Sequence, residues 1–141
     1  MAISIGAAST RTGIKVPTIR YYEEIGLLPA PPRTGSNRRL YGDEDVRRLN
    51  FIRHARELGF EIEDIRELLA MAAEPQASCH QADSIARSHL SEIGRRIAAL
   101  EALKGELTRM IDECGHGRIC DCRIIEALAD HGLCDTEHVK V

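Results

Sequence analysis

The stretch that decides the fold is Lys15-Val16-Pro17-Thr18-Ile19-Arg20-Tyr21-Tyr22, together with Ser4-Ile5-Gly6-Ala7-Ala8 before it. Thr12-Gly13 separates two short helical patterns, because a glycine suits the left-handed position after a helix and Pro17 suits a first helical turn. Two short helices around a glycine turn predict a helix-turn-helix whose second helix enters a major groove. An ordinary helical hairpin explains the same residues equally well.

A segment rich in proline and arginine follows, Leu28-Pro29-Ala30-Pro31-Pro32-Arg33-Thr34-Gly35-Ser36-Asn37-Arg38-Arg39-Leu40-Tyr41. Its Gly-Ser-Asn turn between two rigid flanks predicts a two-stranded wing. Arginines on a wing bind phosphate, which fixes the position of a protein on a duplex without reading its sequence. We therefore expect Arg33, Arg38 and Arg39 to supply affinity and the second helix to supply base discrimination.

Charge is distributed unevenly along the chain. Residues 1–56 contain ten Lys/Arg and five Asp/Glu, whereas residues 57–141 contain nine and seventeen, within a net charge of −3. A basic N-terminal part joined to an acidic C-terminal part indicates a nucleic-acid footprint at one end and a different task at the other.

The composition is that of a globular protein. Hydrophobic residues make up 43% of the 141 residues, enough for a modest core in one compact domain or in a small domain with an extended arm. The sequence contains no run of eighteen apolar residues and no signal-peptide segment. We therefore expect a cytoplasmic protein without membrane contact, in which the cysteines are reduced.

Two further helices are predicted over residues 43–70. Asp43-Glu44-Asp45 places acids in a first helical turn, where the helix dipole favours them. Gly59 interrupts the pattern, and apolar residues spaced three and four apart resume from Ile62 to Leu69. The segment 71–82 then breaks the periodicity and predicts a linker.

Several motifs of the N-terminal half resemble the MerR family of transcription regulators. They are Thr18-Ile19-Arg20-Tyr21-Tyr22-Glu23, Gly26-Leu27-Leu28, Arg33, Arg39-Leu40-Tyr41 and Phe51-Ile52-Arg53-His54-Ala55-Arg56-Glu57-Leu58-Gly59-Phe60. The resemblance covers essentially the whole chain, because a long helix and a terminal cysteine loop are similar to the metal-sensing branch of that family. One departure is Arg38, which stands where an aromatic residue is common.

The resemblance implies a set of DNA contacts on the second helix, the wing and the helix after it. Arg20 and Tyr22 would contact DNA from the second helix, and Tyr41 and Arg56 would hold or touch the backbone. The whole predicted interface is Val16, Thr18, Arg20, Tyr22, Arg33, Arg38, Arg39, Tyr41 and Arg56.

A long amphipathic helix is predicted over residues 83–113. Its apolar residues recur in steps of three and four and form a seam: Leu90, Ile93, Ile97, Leu100, Leu107 and Ile111. Lys104 occupies one core position of this seam, with Leu103 beside it. Thirty residues at about 1.5 Å each form a rod of roughly 45 Å, too long to bury this stripe on a small domain, so a partner helix is needed. The resemblance implies that a second copy supplies it, antiparallel, in a homodimer suited to a palindromic operator.

The cysteines indicate a soft-metal site. Cys114-Gly115-His116-Gly117-Arg118-Ile119-Cys120-Asp121-Cys122 follows the long helix, and Cys79 precedes it. As in the divalent-metal branch that this pattern resembles, we predict a site from Cys114 and Cys122 of one chain and Cys79 of the other. His116 and Cys120 are optional ligands, and Asp121 is an oxygen donor beside them. No role is assigned to His131, Cys134 and His138, which follow a short predicted helix from Arg123 to Ala129.

The ligand set indicates the metal and leaves alternatives. Three or four sulfur and nitrogen ligands suit zinc first, and cadmium, lead or mercury as well, whereas two thiolates suit monovalent copper or silver. Four closely spaced cysteines would favour an iron–sulfur redox regulator, whereas this loop has three and Cys79 is remote from it. A thiol-exchange enzyme built on Cys120 and Cys122 lacks any nucleotide loop or thioredoxin-like pattern to support it.

The predicted fold class is all-α with a small β wing. A winged helix-turn-helix DNA-binding domain (1–70), a linker (71–82) and a coiled-coil dimerisation helix (83–113) precede a metal-binding loop, short helix and tail (114–141). The resemblance implies a regulator, not an enzyme, that represses on an over-long promoter spacer without metal. With metal it distorts the DNA so that RNA polymerase, an indirect partner, transcribes metal resistance or efflux genes.

Overall fold

The computed structural model describes residues 2–36, 38–114, 117 and 122–130, and these are mostly helical with little strand, as predicted. The helices in this part of the chain are α1 (Ile5–Thr12), α2 (Val16–Glu24), α3 (Asp43–Glu57), α4 (Ile62–Ala72), α5 (His80–Asp112) and α6 (Arg123–Ala129). The chain divides into two compact units, Met1–Ile85 and Ala86–Val141. None of the helices described is long and apolar enough to cross a membrane.

The first two helices begin and end at residues whose chemistry favours those positions. Ser4 caps α1, because its hydroxyl accepts a hydrogen bond of 3.1 Å from the Ala7 amide. Gly13 ends the helix at φ +75°, a conformation that glycine adopts without steric cost, and its amide donates to Ser9. Pro17 lies in the first turn of α2. The predicted helix-turn-helix is therefore present.

One hydrophobic core lies within the first unit, and α1 to α4 all contribute to it. The amphipathic spacing of each helix directs its apolar residues to this core. Its buried members are Ala8, Ile14, Ile19, Tyr22, Leu27, Leu28, Tyr41, Leu49, Ile52, Ala55, Ile65 and Leu69. Arg48 and Arg66 close the turn after α2 by donating to the carbonyls of Leu27 and Ile25 at 2.7 and 2.9 Å. Packing in the core and these two hydrogen bonds therefore fix the position of α2 in the first unit.

The segment between α2 and α3 forms the predicted hairpin. Arg33 and Arg39 form an antiparallel bridge, and the Thr34 amide donates to the Arg38 carbonyl at 2.8 Å. A second bridge, which the sequence did not predict, joins Ile3 to Tyr41. It ties the start of the chain to the end of the wing, so α1 and the wing are held together.

The second unit contains most of α5 and all of α6. Arg123 of α6 donates to Glu113 at 2.7 Å, which fixes the start of α6 near the end of α5. Glu106, Met110 and Ala127 are buried in this unit. In contrast, five residues of the predicted seam remain more than half exposed: Leu90, Ile97, Leu100, Leu107 and Ile111.

Candidate nucleic-acid interface and metal centre

The second helix of the helix-turn-helix presents its polar face to solvent. Ile19 and Tyr22 are buried in the core, and the spacing of the helix therefore turns Arg20 outward. Val16 and Thr18 are half-buried on the same helix. These three residues have the exposure that a recognition helix needs to reach base edges in a groove.

Three arginines from separate elements meet at one surface concavity. Arg20 of α2 and the wing residues Arg38 and Arg39 line a space of about 340 Å³ beside Ser4 and Ile5 at the start of α1. Three guanidinium groups around one concavity create a strongly positive surface, which attracts phosphate. Arg38, the departure from the family pattern, belongs to this basic concavity.

Glu23 at the end of α2 binds the wing at two points. Its Oε2 accepts a hydrogen bond of 2.8 Å from Arg39 Nε, and its Oε1 accepts one from the Tyr41 hydroxyl. The carboxylate is 9% exposed and the Arg39 side chain 25%, so this pair is screened less than an ordinary surface ion pair. The sequence interpretation missed Glu23; its signal is an acid adjoining Arg20-Tyr21-Tyr22 in the basic part of the chain.

The predicted DNA-binding residue Tyr41 is fully buried. In this position its side chain can support the wing from within, and its role in DNA binding stays a prediction. Burial first, and then the hydrogen bond to Glu23, raise the pKa of Tyr41, which favours the protonated phenol that donates this hydrogen bond.

Three other predicted DNA contacts lie outside the basic concavity. Tyr22 is 7% exposed, and burial raises its pKa while nearby Arg56 acts in the opposite direction. Arg56 is exposed near the end of α3, and its guanidinium donates a hydrogen bond of 2.7 Å to the carbonyl of Phe60, which follows the helix. Arg33 is exposed on the wing.

Two cysteines approach each other in the second unit. The sulfur atoms of Cys114, after α5, and Cys122, before α6, lie 4.0 Å apart. The backbone amide of Ile125, and then that of Ile124, lower the pKa of Cys122 by hydrogen bonding to its sulfur. A thiol with a lowered pKa is more readily ionised, and the thiolate is the form that binds metal.

The other predicted metal ligands are not found beside Cys114 and Cys122 in the part of the chain that the structure describes. Cys79 is exposed just before α5 in the other unit, where its carbonyl accepts from the Asp83 amide at 2.9 Å. His116, Cys120, Asp121, His131, Cys134 and His138 lie outside the described residues. Within the part of the chain that the structure describes, no three His, Cys, Asp or Glu side chains form a group able to hold a metal.

Comparison with known proteins identifies the family. A family model described as MerR HTH family regulatory protein matches residues 3–72, and one described as MerR, DNA binding, matches residues 46–110. The HTH-type transcriptional regulator HmrR of Sinorhizobium medicae is 43% identical over 131 residues, which cover 92% of this chain and 88% of the relative. The chain belongs to the MerR family.

Other MerR relatives match over nearly the same length. The HTH-type transcriptional regulator ZntR of Escherichia coli is 39% identical, over 88% of this chain and 90% of the relative. The crystal structure of a transcription regulator from Ralstonia metallidurans in complex with lead(II) matches with a TM-score of 0.78 at 31% identity, covering 89% of this chain and 98% of that one. MerR proteins are transcription regulators that bind promoter DNA, and they are not enzymes.

Proposed function

We propose that this MerR-family chain is a metal-responsive regulator of metal resistance or efflux genes. It binds a palindromic promoter spacer as a homodimer and represses transcription without metal. When a divalent soft metal is bound, it activates transcription by distorting the DNA, so that RNA polymerase engages both promoter elements. The observation that carries the proposal is the 4.0 Å approach of Cys114 and Cys122 in a protein of this family.

The two thiols lie close enough to share one metal ion. Two sulfurs on a tetrahedral zinc at about 2.3 Å lie about 3.8 Å apart, and the observed separation is 4.0 Å. The preference for zinc rests on the number of proposed donors, because three or four sulfur and nitrogen ligands suit zinc and two suit monovalent copper. We propose Cys114, Cys122 and the partner's Cys79 as ligands, with His116 and Cys120 as optional ones. Zinc is the first candidate, and cadmium, lead or mercury use the same donors.

The proposed homodimer rests on the exposed apolar side chains of α5. Five of the six seam residues are 52–68% exposed in the single chain, all but Ile93, and the heptad spacing of the seam is that of a helix that pairs with another helix. Antiparallel pairing brings the start of one α5 to the end of the other. In such a dimer the partner's Cys79 approaches the thiol pair.

The proposed DNA interface is the exposed face of α2 together with the basic concavity. Val16, Thr18 and Arg20 would face the groove, while Arg38 and Arg39 would bind phosphate beside it. Arg33 and Arg56 would add backbone contacts. The support comes from the exposure of Arg20, Arg33, Arg38 and Arg56 and from the convergence of three arginines at one concavity.

A transcription assay with individual metals tests the proposal. The protein's own promoter is transcribed in vitro with zinc, cadmium, lead, mercury or copper(I) added singly to protein stripped of metal. We expect activation by divalent soft metals and repression without them. Cys79→Ser should abolish the response and leave operator affinity unchanged, with Cys134→Ser as the matched control. An unchanged response in Cys79→Ser would exclude the cross-protomer site.

The same assay separates the alternatives. Activation by copper(I) or silver(I) alone would favour the monovalent sensor. Visible charge-transfer bands in anaerobically purified protein would favour an iron–sulfur regulator. Absence of any metal response would overturn the proposed function.

A further inference from the structure

Glu23 is an acid that contacts Arg39 of the basic concavity, and electrostatic attraction to DNA does not explain its presence there. Glu23 lies on the recognition helix, α2, in a part of the chain with twice as many basic as acidic residues. A carboxylate near DNA repels phosphate, so its charge lowers non-specific affinity. A residue that lowers affinity at this position must contribute something else.

The contacts of Glu23 show what it contributes. Its two oxygens are used by two side chains of the wing: Oε2 accepts from Arg39 Nε at 2.8 Å, and Oε1 accepts from the buried Tyr41 hydroxyl. Tyr41 is itself held by its backbone bridge to Ile3. The carboxylate therefore joins the recognition helix to a fixed point in the core and to an arginine of the wing.

The contact with Arg39 constrains a residue of the interface. Arg39 lines the basic concavity with Arg20 and Arg38, and the bond through its Nε restricts the plane of its guanidinium. An arginine presents a rigid fork, so fixing that plane fixes the direction of its hydrogen bonds. A guanidinium held in one direction can bind phosphate only when the recognition helix lies at one angle in the groove. A mobile guanidinium can bind phosphate at many angles.

We propose that Glu23 is a positioning residue that exchanges electrostatic affinity for operator specificity. It does so by holding Arg39 and the wing at one angle to the recognition helix. The inference rests on the proposed function, in that it requires the basic concavity to face DNA. It assigns no DNA contact to Glu23 itself; the carboxylate acts through Arg39.

The chain offers a matched control in the adjacent residue. Glu24 is exposed at the end of the same helix, and no hydrogen bond or ion pair of its side chain is found among the described residues. Glu23→Gln and Glu24→Gln remove the same charge from adjacent positions of one helix. A general electrostatic effect therefore changes both variants alike, and a positioning effect changes only the first.

The experiment compares affinity for two duplexes. One carries an operator selected by the wild-type protein from a random pool, and the other has the same base composition in scrambled order. We expect Glu23→Gln to lower the operator-to-scrambled affinity ratio by roughly fivefold or more, because the wing no longer holds the angle that suits the shape of the operator; fivefold is the low end of the effect of one mismatched base pair. Its affinity for scrambled DNA should hold or rise. Glu24→Gln should leave the ratio within about twofold of the wild-type value.

Two further variants show whether Glu23 acts through its partners. In an Arg39→Ala background, Glu23→Gln should change the ratio no further, because coupled residues are not additive. Tyr41→Phe keeps the charge of Glu23 and removes one anchor, so it should lower the ratio by a smaller factor. Tyr41→Phe leaves Glu23 in place, so it decides the question if Glu23→Gln does not fold: an unchanged ratio in Tyr41→Phe would then overturn the proposal.

Three other outcomes would overturn the proposal. They are equal ratios in the two glutamine variants, a parallel loss of both affinities that follows the melting temperature, and additive effects of Glu23→Gln and Arg39→Ala. Failure of the wild-type protein to select any operator would instead count against the proposed function. The two ideas can therefore fail separately.

Discussion

The replacement Ile97→Ala tests whether α5 pairs with a second copy. Ile97 lies at a seam position near the middle of the 33-residue helix and is 53% exposed in the single chain. Complete burial of an isoleucine side chain stabilises a structure by about 1.5–3 kcal/mol. Since about half of that surface is already covered, pairing would contribute roughly 1 kcal/mol per chain at this position.

The symmetry of a dimer doubles the effect. Both copies lose the side chain, so the dimer should be destabilised by about 2 kcal/mol, which corresponds to a roughly 30-fold rise in its dissociation constant. Sedimentation equilibrium of metal-free protein measures that constant directly. Helical content by circular dichroism should be unchanged, because alanine favours helix and Ile97 contributes nothing to the described core.

Arg95→Ala is the matched control on the same helix. Arg95 is exposed and pairs with Glu92 three residues earlier, a surface contact worth at most about 1 kcal/mol within one chain. Its loss should change the dissociation constant by less than about threefold. If Ile97→Ala also changed it by less than threefold, or if the wild-type protein were monomeric, the argument from the exposed seam would be refuted.

Three other predictions concern single side chains. Arg20→Ala should weaken operator binding by at least about tenfold with or without metal, and retained affinity in a gel-shift titration would contradict its role. The lowered pKa of Cys122 should let it bind zinc down to a lower pH than an ordinary thiol does. Glu126 raises that pKa, so Glu126→Gln should extend zinc binding to a still lower pH. Competitive zinc titration at a series of pH values measures this effect. Ile52→Ala in the fully buried core should lower the free energy of unfolding by about 2–5 kcal/mol in urea.

Local signals in the sequence predicted local structure well. Ser4, Gly13 and Pro17 act within their own helical turns, and they mark the ends of α1 and α2 in the structure. The cap and turn chemistry of such residues depends on a few neighbours along the chain. The first two helices could therefore be placed before any tertiary contact was known.

Contacts between distant residues could not be predicted in the same way. Glu23 meets Arg39 and Tyr41 across 16 and 18 positions, and no periodicity encodes that meeting. The DNA-binding role of Tyr41 was assigned by the family resemblance, which does not indicate how far a side chain is buried. Tyr41 is fully buried, and its backbone forms a bridge to Ile3, 38 positions earlier.

The second unit shows the same limit. Spacing by three and four residues predicted one apolar face on α5, yet Glu106 and Met110 are buried while Leu107 is exposed. The reason is that α6 returns to the end of α5, where Arg123 meets Glu113. The cysteine spacing indicated a soft-metal loop, and the resemblance implied that Cys114 and Cys122 act together; their 4.0 Å separation depends on the return of α6 to the end of α5. Site residues assigned by the resemblance stay predictions.

The energetics of switching explain why a shared metal site suits a regulator of this kind. A ligand shifts a conformational equilibrium only by the difference between its affinities for the two states. A site built from Cys114 and Cys122 alone would lie within a single unit of one chain, so its metal affinity would depend on the arrangement of the dimer only indirectly, through the fold of that unit. Adding the partner's Cys79 makes metal affinity depend on how the two protomers are arranged, and a tenfold difference in that affinity is about 1.4 kcal/mol available to distort DNA.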